Sequence, residues 1–250
     1  MGSRRLPGKT MADICGKPML ARVVERVQRA RLVDEVVVAT THGFGDDPIA
    51  AWCKANDVLC YRCAIYLRPF KGDLLATYYE AALWRQADVI VRITADCPLI
   101  DPMVIDTVVE SQRSTGYDYV SNVEPPTFPD GLDVEAFTFV VLERAHYVAS
   151  LPSEREHVTP WIRANPMLGI SMVARNVFHL PDRSAERWTV DEPADLEFVR
   201  AVYAELGEAP FGMVEVLALL ERRPELRQIN AGIRRNEGYE ISLKEDKAHG

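Results

Sequence analysis

The chain has 250 residues, 48% of them hydrophobic and 26% charged, and its formal net charge is -8. That length buries a substantial core as one large domain or two small ones, and the acidic balance argues against a general nucleic-acid binder, whose affinity would come from a basic surface. No apolar run approaches the roughly 20 residues of a bilayer span, no signal-peptide-like segment opens the sequence, and the odd count of 5 cysteines favours reduced thiols, so a cytoplasmic location without membrane or nucleic-acid partners is expected.

In chain order, Met1-Gly-Ser-Arg-Arg-Leu-Pro-Gly-Lys9 comes first, a cationic loop built on Gly and Pro. Glycine lets backbone N–H groups approach closely and the cations neutralise an anion, so the loop suits a polyphosphate. Over 17–30, Met19, Leu20, Val23, Val24 and Val27 fall at helical spacing. The short β-branched run 36–39 suits a strand buried on both faces. A helix is expected over 48–55, with Pro48 at an early position, and a strand over 58–62. Cys60-Tyr-Arg-Cys63 has metal or redox spacing, but no second pair completes a site, and a strand edge is the simpler reading.

A helix over 74–85, a strand over 89–93 and a helix over 102–113 follow. This β/α alternation predicts an α/β fold with a mostly parallel central sheet and helices on both faces. The second half is less regular, with strands expected at 117–120, 132–138, 170–173 and 187–190 and helices at 139–149, 153–164 and 193–206. Pro125-Pro126 and Pro129-Asp-Gly131 mark a loop on the substrate side. Residues 1–236 are read as one domain and 237–250 as a polar, frayed tail.

Ligands of open α/β sheets bind beyond the carboxyl ends of the strands. Asp96 follows the strand ending near Ile93, and Asp191 follows the expected strand 187–190. Hard carboxylate oxygens there suit Mg2+ with substrate phosphates. Each also has a plainer reading, Asp96 as a turn residue and Asp191 as the N-cap of the helix begun by Pro193. The cations at Arg4, Arg5 and Lys9 also read as a solvated cluster when taken alone. The combination of loop and carboxylates favours a metal-nucleotide site.

The opening loop, with Gly16-Lys-Pro-Met-Leu20, resembles the nucleotide-binding start of the CMP-sugar-acid synthetases, cytidylyltransferases that activate KDO, sialic acid and related 2-keto sugar acids. The nearest likeness is to their spore-coat polysaccharide biosynthesis protein F branch. Matching stretches run in order from Val91-Arg-Ile-Thr-Ala-Asp-Cys-Pro-Leu-Ile-Asp101 through Phe128-Pro-Asp-Gly-Leu-Asp-Val-Glu135, Glu154-Arg-Glu-His-Val-Thr-Pro160 and Thr189-Val-Asp-Glu-Pro-Ala-Asp-Leu-Glu197 to Ile229-Asn-Ala-Gly-Ile-Arg-Arg-Asn-Glu-Gly238. The resemblance implies a nucleotide-diphospho-sugar transferase-like fold, and transfer of CMP from CTP to a sugar hydroxyl with release of pyrophosphate, for surface polysaccharide synthesis. It implies that Ser3, Arg4 and Lys9 hold the triphosphate, that Asp96 and Asp191 bind Mg2+, and that Lys9, Arg4 and Asp96 are catalytic. A homodimer is also implied. Asp130, Asp133, Arg155 and His157, with Glu154 beside them, are assigned to the acceptor side, where Arg and His suit an anionic or polyhydroxylated ligand. For His157 a helix-surface or cap role is the alternative.

Two departures stand out. In the family the loop follows a short apolar strand ending in an Ala-Arg pair, whereas here Met1 falls inside the motif, so a sheet lacking its first strand is expected. Ala95 stands where relatives often carry Gly, which matters only if the turn needs positive φ. The competing readings are a nucleotide-sugar-dependent glycosyltransferase, disfavoured by the lack of an evident Asp-x-Asp motif, and a catalytically impaired nucleotide-binding homologue.

Overall fold

The computed structural model describes residues 3, 5–64, 72–165, 174–235 and 237–249. After a single 3-10 turn, Lys9–Met11, a small hairpin of β1 (Asp13–Ile14) and β2 (Lys17–Pro18) leads into α1 (Met19–Val27). Then β3 (Val37–Thr41), α2 (Asp47–Ala55), β4 (Leu59–Cys63), α3 (Leu74–Arg85), β5 (Val89–Arg92) and α4 (Pro102–Thr115) alternate. The rest comprises β6 (Tyr119–Ser121), β7 (Glu135–Thr138), α5 (Phe139–Val148), α6 (Pro152–His157), α7 (Pro160–Ala164), β8 (Ala174–Asn176), α8 (Pro193–Leu206), α9 (Met213–Arg222) and α10 (Glu237–His249).

Local chemistry sets the helix ends. Asp73 caps α3 by accepting from Ala76 N at 3.0 Å, and its carboxylate is gripped by Arg155 at 2.7 and 3.1 Å. Asp101 caps α4, taking Met103 N at 2.8 Å with one oxygen and Met213 N at 2.6 Å with the other. One carboxylate thus ties the starts of α4 and α9 together, and a cap of this kind contributes about 1 kcal/mol. Glu192 and Asp195 form a capping box at α8, so Asp191 is not the cap and its carboxylate is free for other work.

The strands form two main sheets. β3 and β4 pair in parallel, while β5, β7, β6 and β8 form a four-stranded sheet in that order. There β6 and β8 are parallel, and β7 runs antiparallel to both its neighbours. The α/β expectation holds, with β7 the exception to parallel order. Apolar packing gathers on both faces. Residues of α1, α4, α8 and α9 surround Trp188 and Val120, and on the other face α3, α5 and α7 pack on Tyr119 and Phe137. Phe137, Trp161 and Ile162 are buried in this second cluster and Phe139 packs against it.

β3 and β5 do not pair with each other, and no strand lies between them among the described residues. The space is a cavity of about 880 Å3, lined by Val37, Val38 and Ala39 of β3, Val89, Ile90 and Val91 of β5, Val24 of α1 and Tyr78 of α3, among others. Among the described residues the strands are therefore split into two sheets at this point.

Several expectations are corrected. Residues 187–190 are not a strand; they are an extended segment held by single bonds, Trp188 N to Asp130 O at 2.7 Å and Val190 N to Asp96 O at 2.8 Å. The helix expected over 153–164 is two helices broken at Val158, whose φ is 74°. The tail expected to fray is α10, which packs on α6. The strand expected at 170–173 lies outside the described residues. All five cysteines are free, and no described helix is long and apolar enough to cross a membrane.

Candidate active site

The site forms where the loop after β5, the segment 187–195 and the N-terminal loop meet. Gly8, in the left-handed region at φ 76°, turns the chain so that Lys9 points inward. Its ammonium lies 2.9 Å from Asp96 Oδ2, 2.8 Å from Asp191 Oδ1 and 2.8 Å from the carbonyl of Val190. The two carboxylates picked out by sequence are thus brought together, with Lys9, expected on the triphosphate, between them. Burial acts to lower the Lys9 pKa, but the charges of Asp96 and Asp191 outweigh it and raise it. For Asp96 burial acts upward, and the charge and hydrogen bond of Lys9 overcome it and hold the carboxyl below its ordinary value.

Arg5 stands at the mouth, 3.3 Å from Asp191 and 3.3 Å from Glu192. Ser3 Oγ accepts from Leu6 N at 3.2 Å, so this hydroxyl braces the loop. Arg4 lies outside the described residues. Ala95 does not adopt positive φ, so alanine satisfies that turn.

Behind the pair, Arg187 is a hub. It is bidentate to Asp195 at 2.9 Å, and lies 3.0 Å from Asp130 and 3.4 Å from Asp191. Asp130 is reached through a constrained turn. Gly131 has φ 107°, and a Cβ there would stand 2.6 Å from Thr189 N and 2.7 Å from the carbonyl carbon of Trp188. Only glycine lets the two segments touch. Burial pushes the Asp130 carboxyl up to about 6, against the pull of Arg235 and with Asp133 adding to the rise. Burial also raises Asp133, which pairs with Arg235.

The acceptor-side assignments divide. Asp130 and Asp133 are in the site. Arg155 is not beside them: it grips Asp73 and the carbonyl of His146 in a buried structural cluster. His157 ends α6, with Nε2 3.0 Å from Ser242 Oγ of α10 and its ring edge-on to Tyr239. Its pKa is lowered by burial. It is the last residue of α6, and its side chain bonds α10 and not the end of its own helix. Glu154 accepts from the backbone of Ser150 and Leu151 at the start of α6.

Sequence reasoning gave no role to Arg187, Asp195, Asn230 or Arg235. Asp195, Asn230 and Arg235 lie in quoted matching stretches, which were the available signal. Arg187 had none, since its partners are 4, 8 and 57 residues away.

Two carboxylates converge on one cation position, and no set of three His, Cys, Asp or Glu side chains gathers as a metal site among the described residues. Two hard oxygens on a common cation fit Mg2+, which takes one or two carboxylates and fills its shell with water and phosphate oxygens.

A family profile described as cytidylyltransferase matches residues 1–209. The chain is 29% identical over 236 residues to the spore coat polysaccharide biosynthesis protein SpsF of Bacillus subtilis, with 90% of this chain and 92% of that one covered. It is 37% identical over 147 residues to a 3-deoxy-manno-octulosonate cytidylyltransferase of an Anaeromyxobacter species, covering 57% of this chain and 55% of that one. Among solved structures, a cytidylyltransferase from Leptospira borgpetersenii is similar with TM-score 0.84 and 30% identity, over 94% of this chain and 95% of that one.

Proposed function

The chain belongs to the cytidylyltransferase family, and on that premise we propose that it transfers CMP from CTP to a hydroxyl of a 2-keto sugar acid, releasing pyrophosphate, in surface polysaccharide synthesis. The observation that carries the reading is the Lys9 ammonium set between Asp96 and Asp191 at 2.9 and 2.8 Å. Phosphoryl transfer asks little covalent chemistry of the protein and much positioning of charge. Lys9, with Arg5 at the mouth, supplies cations to the triphosphate, and Asp96 and Asp191 are the residues that would hold Mg2+. Bound there, Mg2+ would neutralise phosphate charge.

The protein's own groups do the rest. Arg187 fixes the Asp191 and Asp130 carboxylates in place, and Asp130 and Asp133 face the acceptor side. No thiol takes part: Cys97 is buried beside Asp96, and burial pushes its pKa well up. The acceptor class is supported by the likeness to the 3-deoxy-manno-octulosonate enzyme, and a homodimer remains part of the reading, with Val140, Tyr147 and Val148 of α5 exposed.

The test is pyrophosphate release from each of the four nucleoside triphosphates, with and without a panel of 2-keto sugar acids. Release should require CTP, a sugar acid and Mg2+, and D96A should abolish it. Transfer from a preformed nucleotide sugar instead would overturn the proposal.

A further inference from the structure

The stretch Ile229-Asn-Ala-Gly-Ile-Arg-Arg-Asn-Glu-Gly238 has no role in the chemistry above and lies beyond residues 1–209 of the family match. It nonetheless crosses the candidate active site and enters it at three places. Asn230, buried, donates from Nδ2 to Arg187 O and to Asp195 Oδ1, each at 3.0 Å, and so props the hub that holds Asp191 and Asp130. Arg235 pairs with Asp133, donates to Phe128 O at 3.4 Å and lies 3.8 Å from Asp130. Glu237 reaches Arg5 at 3.5 Å.

We infer that Arg235 is a specificity-determining residue for the acceptor: its guanidinium receives the carboxylate of the incoming sugar acid while Asp133 steadies it. The inference rests on the cytidylyltransferase reading above. Three observations carry it. Arg235 stands over the two carboxylates of the acceptor side, separate from the Lys9 cluster that faces the triphosphate. Of the other cations nearby, Lys9 faces the triphosphate in that reading, Arg187 is bound to three carboxylates, and Arg92 pairs with buried Glu135, its one unpartnered nitrogen, Nε, being shut away from solvent. A guanidinium has five donors in a planar fork. The hydrogen bonds of Arg235 use Nη1 and Nη2, and its Nε, 3.8 Å from Asp130, is beyond hydrogen-bond distance. Its side chain also stays 17% exposed where that of Arg187 is 9%. A fork with spare donors at the open side of the site suits bidentate capture of a carboxylate. Simple neutralisation of Asp130 and Asp133 would need only a point charge.

The experiment compares wild type, R235M and R235K in the pyrophosphate-release assay, using a 2-keto sugar acid that wild type accepts and the methyl ester of the same sugar. R235M should raise the KM for the acid by about 10- to 100-fold, the range for losing a charge-assisted pair, with the KM for CTP changing less than about twofold. The preference of wild type for acid over ester should collapse in R235M and return only in part in R235K, which keeps the charge without the fork. If R235M proves unstable, R235Q takes its place in the same comparison. An acid-over-ester preference unchanged in the variants would overturn the role of Arg235 and leave the enzyme reading standing, and so would equal rises in both KM values with full rescue by lysine. Failure of wild type to turn over any 2-keto sugar acid would overturn the enzyme reading, and this assignment with it.

Discussion

The carboxyl-end site and the cavity between β3 and β5 border the same strand and are built in opposite ways. At the site, side chains from distant loops answer one another: Lys9 with Asp96 and Asp191, Arg187 with Asp130 and Asp195, Arg235 with Asp133. In the cavity, mostly apolar side chains and two strand edges face about 880 Å3, with no strand between them among the described residues. The site draws nothing from β3 or β4 in any of these pairs. Its geometry is therefore set by charge pairing and by the four-stranded sheet, while packing against the split is a matter of stability. Buried polar networks stay in place only when their members are satisfied, whereas an apolar void costs contact energy without specifying any geometry.

Four experiments would break or sharpen this contrast. The largest effect is expected from K9M, which removes the cation shared by Asp96 and Asp191: kcat for pyrophosphate release should fall by at least about 100-fold, the loss typical of one preorganised charge donor. A fall below about fivefold would show that the pair does not report on the chemistry.

G131A comes next, since its new Cβ would sit 2.6 Å from Thr189 N in a backbone region that disfavours side chains. Strain of this kind costs about 1–3 kcal/mol, and an unfolding midpoint in urea indistinguishable from wild type would refute the close approach of the two segments. At the cavity, amides on the facing edges of β3 and β5 should exchange about 100-fold faster than those of β7, which is paired on both sides. Uniform protection across the three strands would contradict the split.

The smallest effect concerns pH. The Asp130 carboxyl is raised from 3.8 to about 6 in the folded protein, so its contribution to stability is full below about 4 and is lost as pH rises through about 6. Asparagine does not titrate, and in metal-free buffer D130N should gain stability relative to wild type between pH 4 and 7. A difference that stays flat over that interval would place the Asp130 pKa near its ordinary value.

How far the sequence was legible depended on whether the cause was local. Leu74–Arg85 and Pro193–Leu206 match the expected helices to the residue. Asp73 and Pro193 at their starts, with apolar periodicity inside, act within one turn. Asp96 and Asp191 were legible as strand-end or helix-start carboxylates, although nothing local said that one lysine would join them. Segment 187–190 was misread because β-branched and aromatic residues there resemble a strand, while its amides at Trp188 and Val190 bond Asp130 and Asp96 singly instead of laddering. The break at Val158 and the burial of Arg155 against Asp73, 82 residues away, are tertiary choices that no window of sequence contains. The helix Met213–Arg222, left unassigned by the pattern reading, does carry a local signal in Gly212 and Glu215, which caps Gly212 N at 2.7 Å.

The pairing of Lys9 with Asp191 spans 182 residues, and that of Arg5 with Glu237 spans 232. On the ribosome the loop of Arg5 and Lys9 emerges before its partners and waits for them. At roughly 5–20 residues per second that interval is on the order of 10–40 s. During it Arg5 and Lys9 are solvated cations on a nascent chain, and once Asp96 follows, 87 residues after Lys9, there is still no Asp191 to share the ammonium. Catalytic competence is thus one of the last properties this polypeptide acquires, long after α1, β3 and α3 can form. Ribosome stalling or truncation anywhere before Asp191 would leave a chain with much of its secondary structure and no site at all.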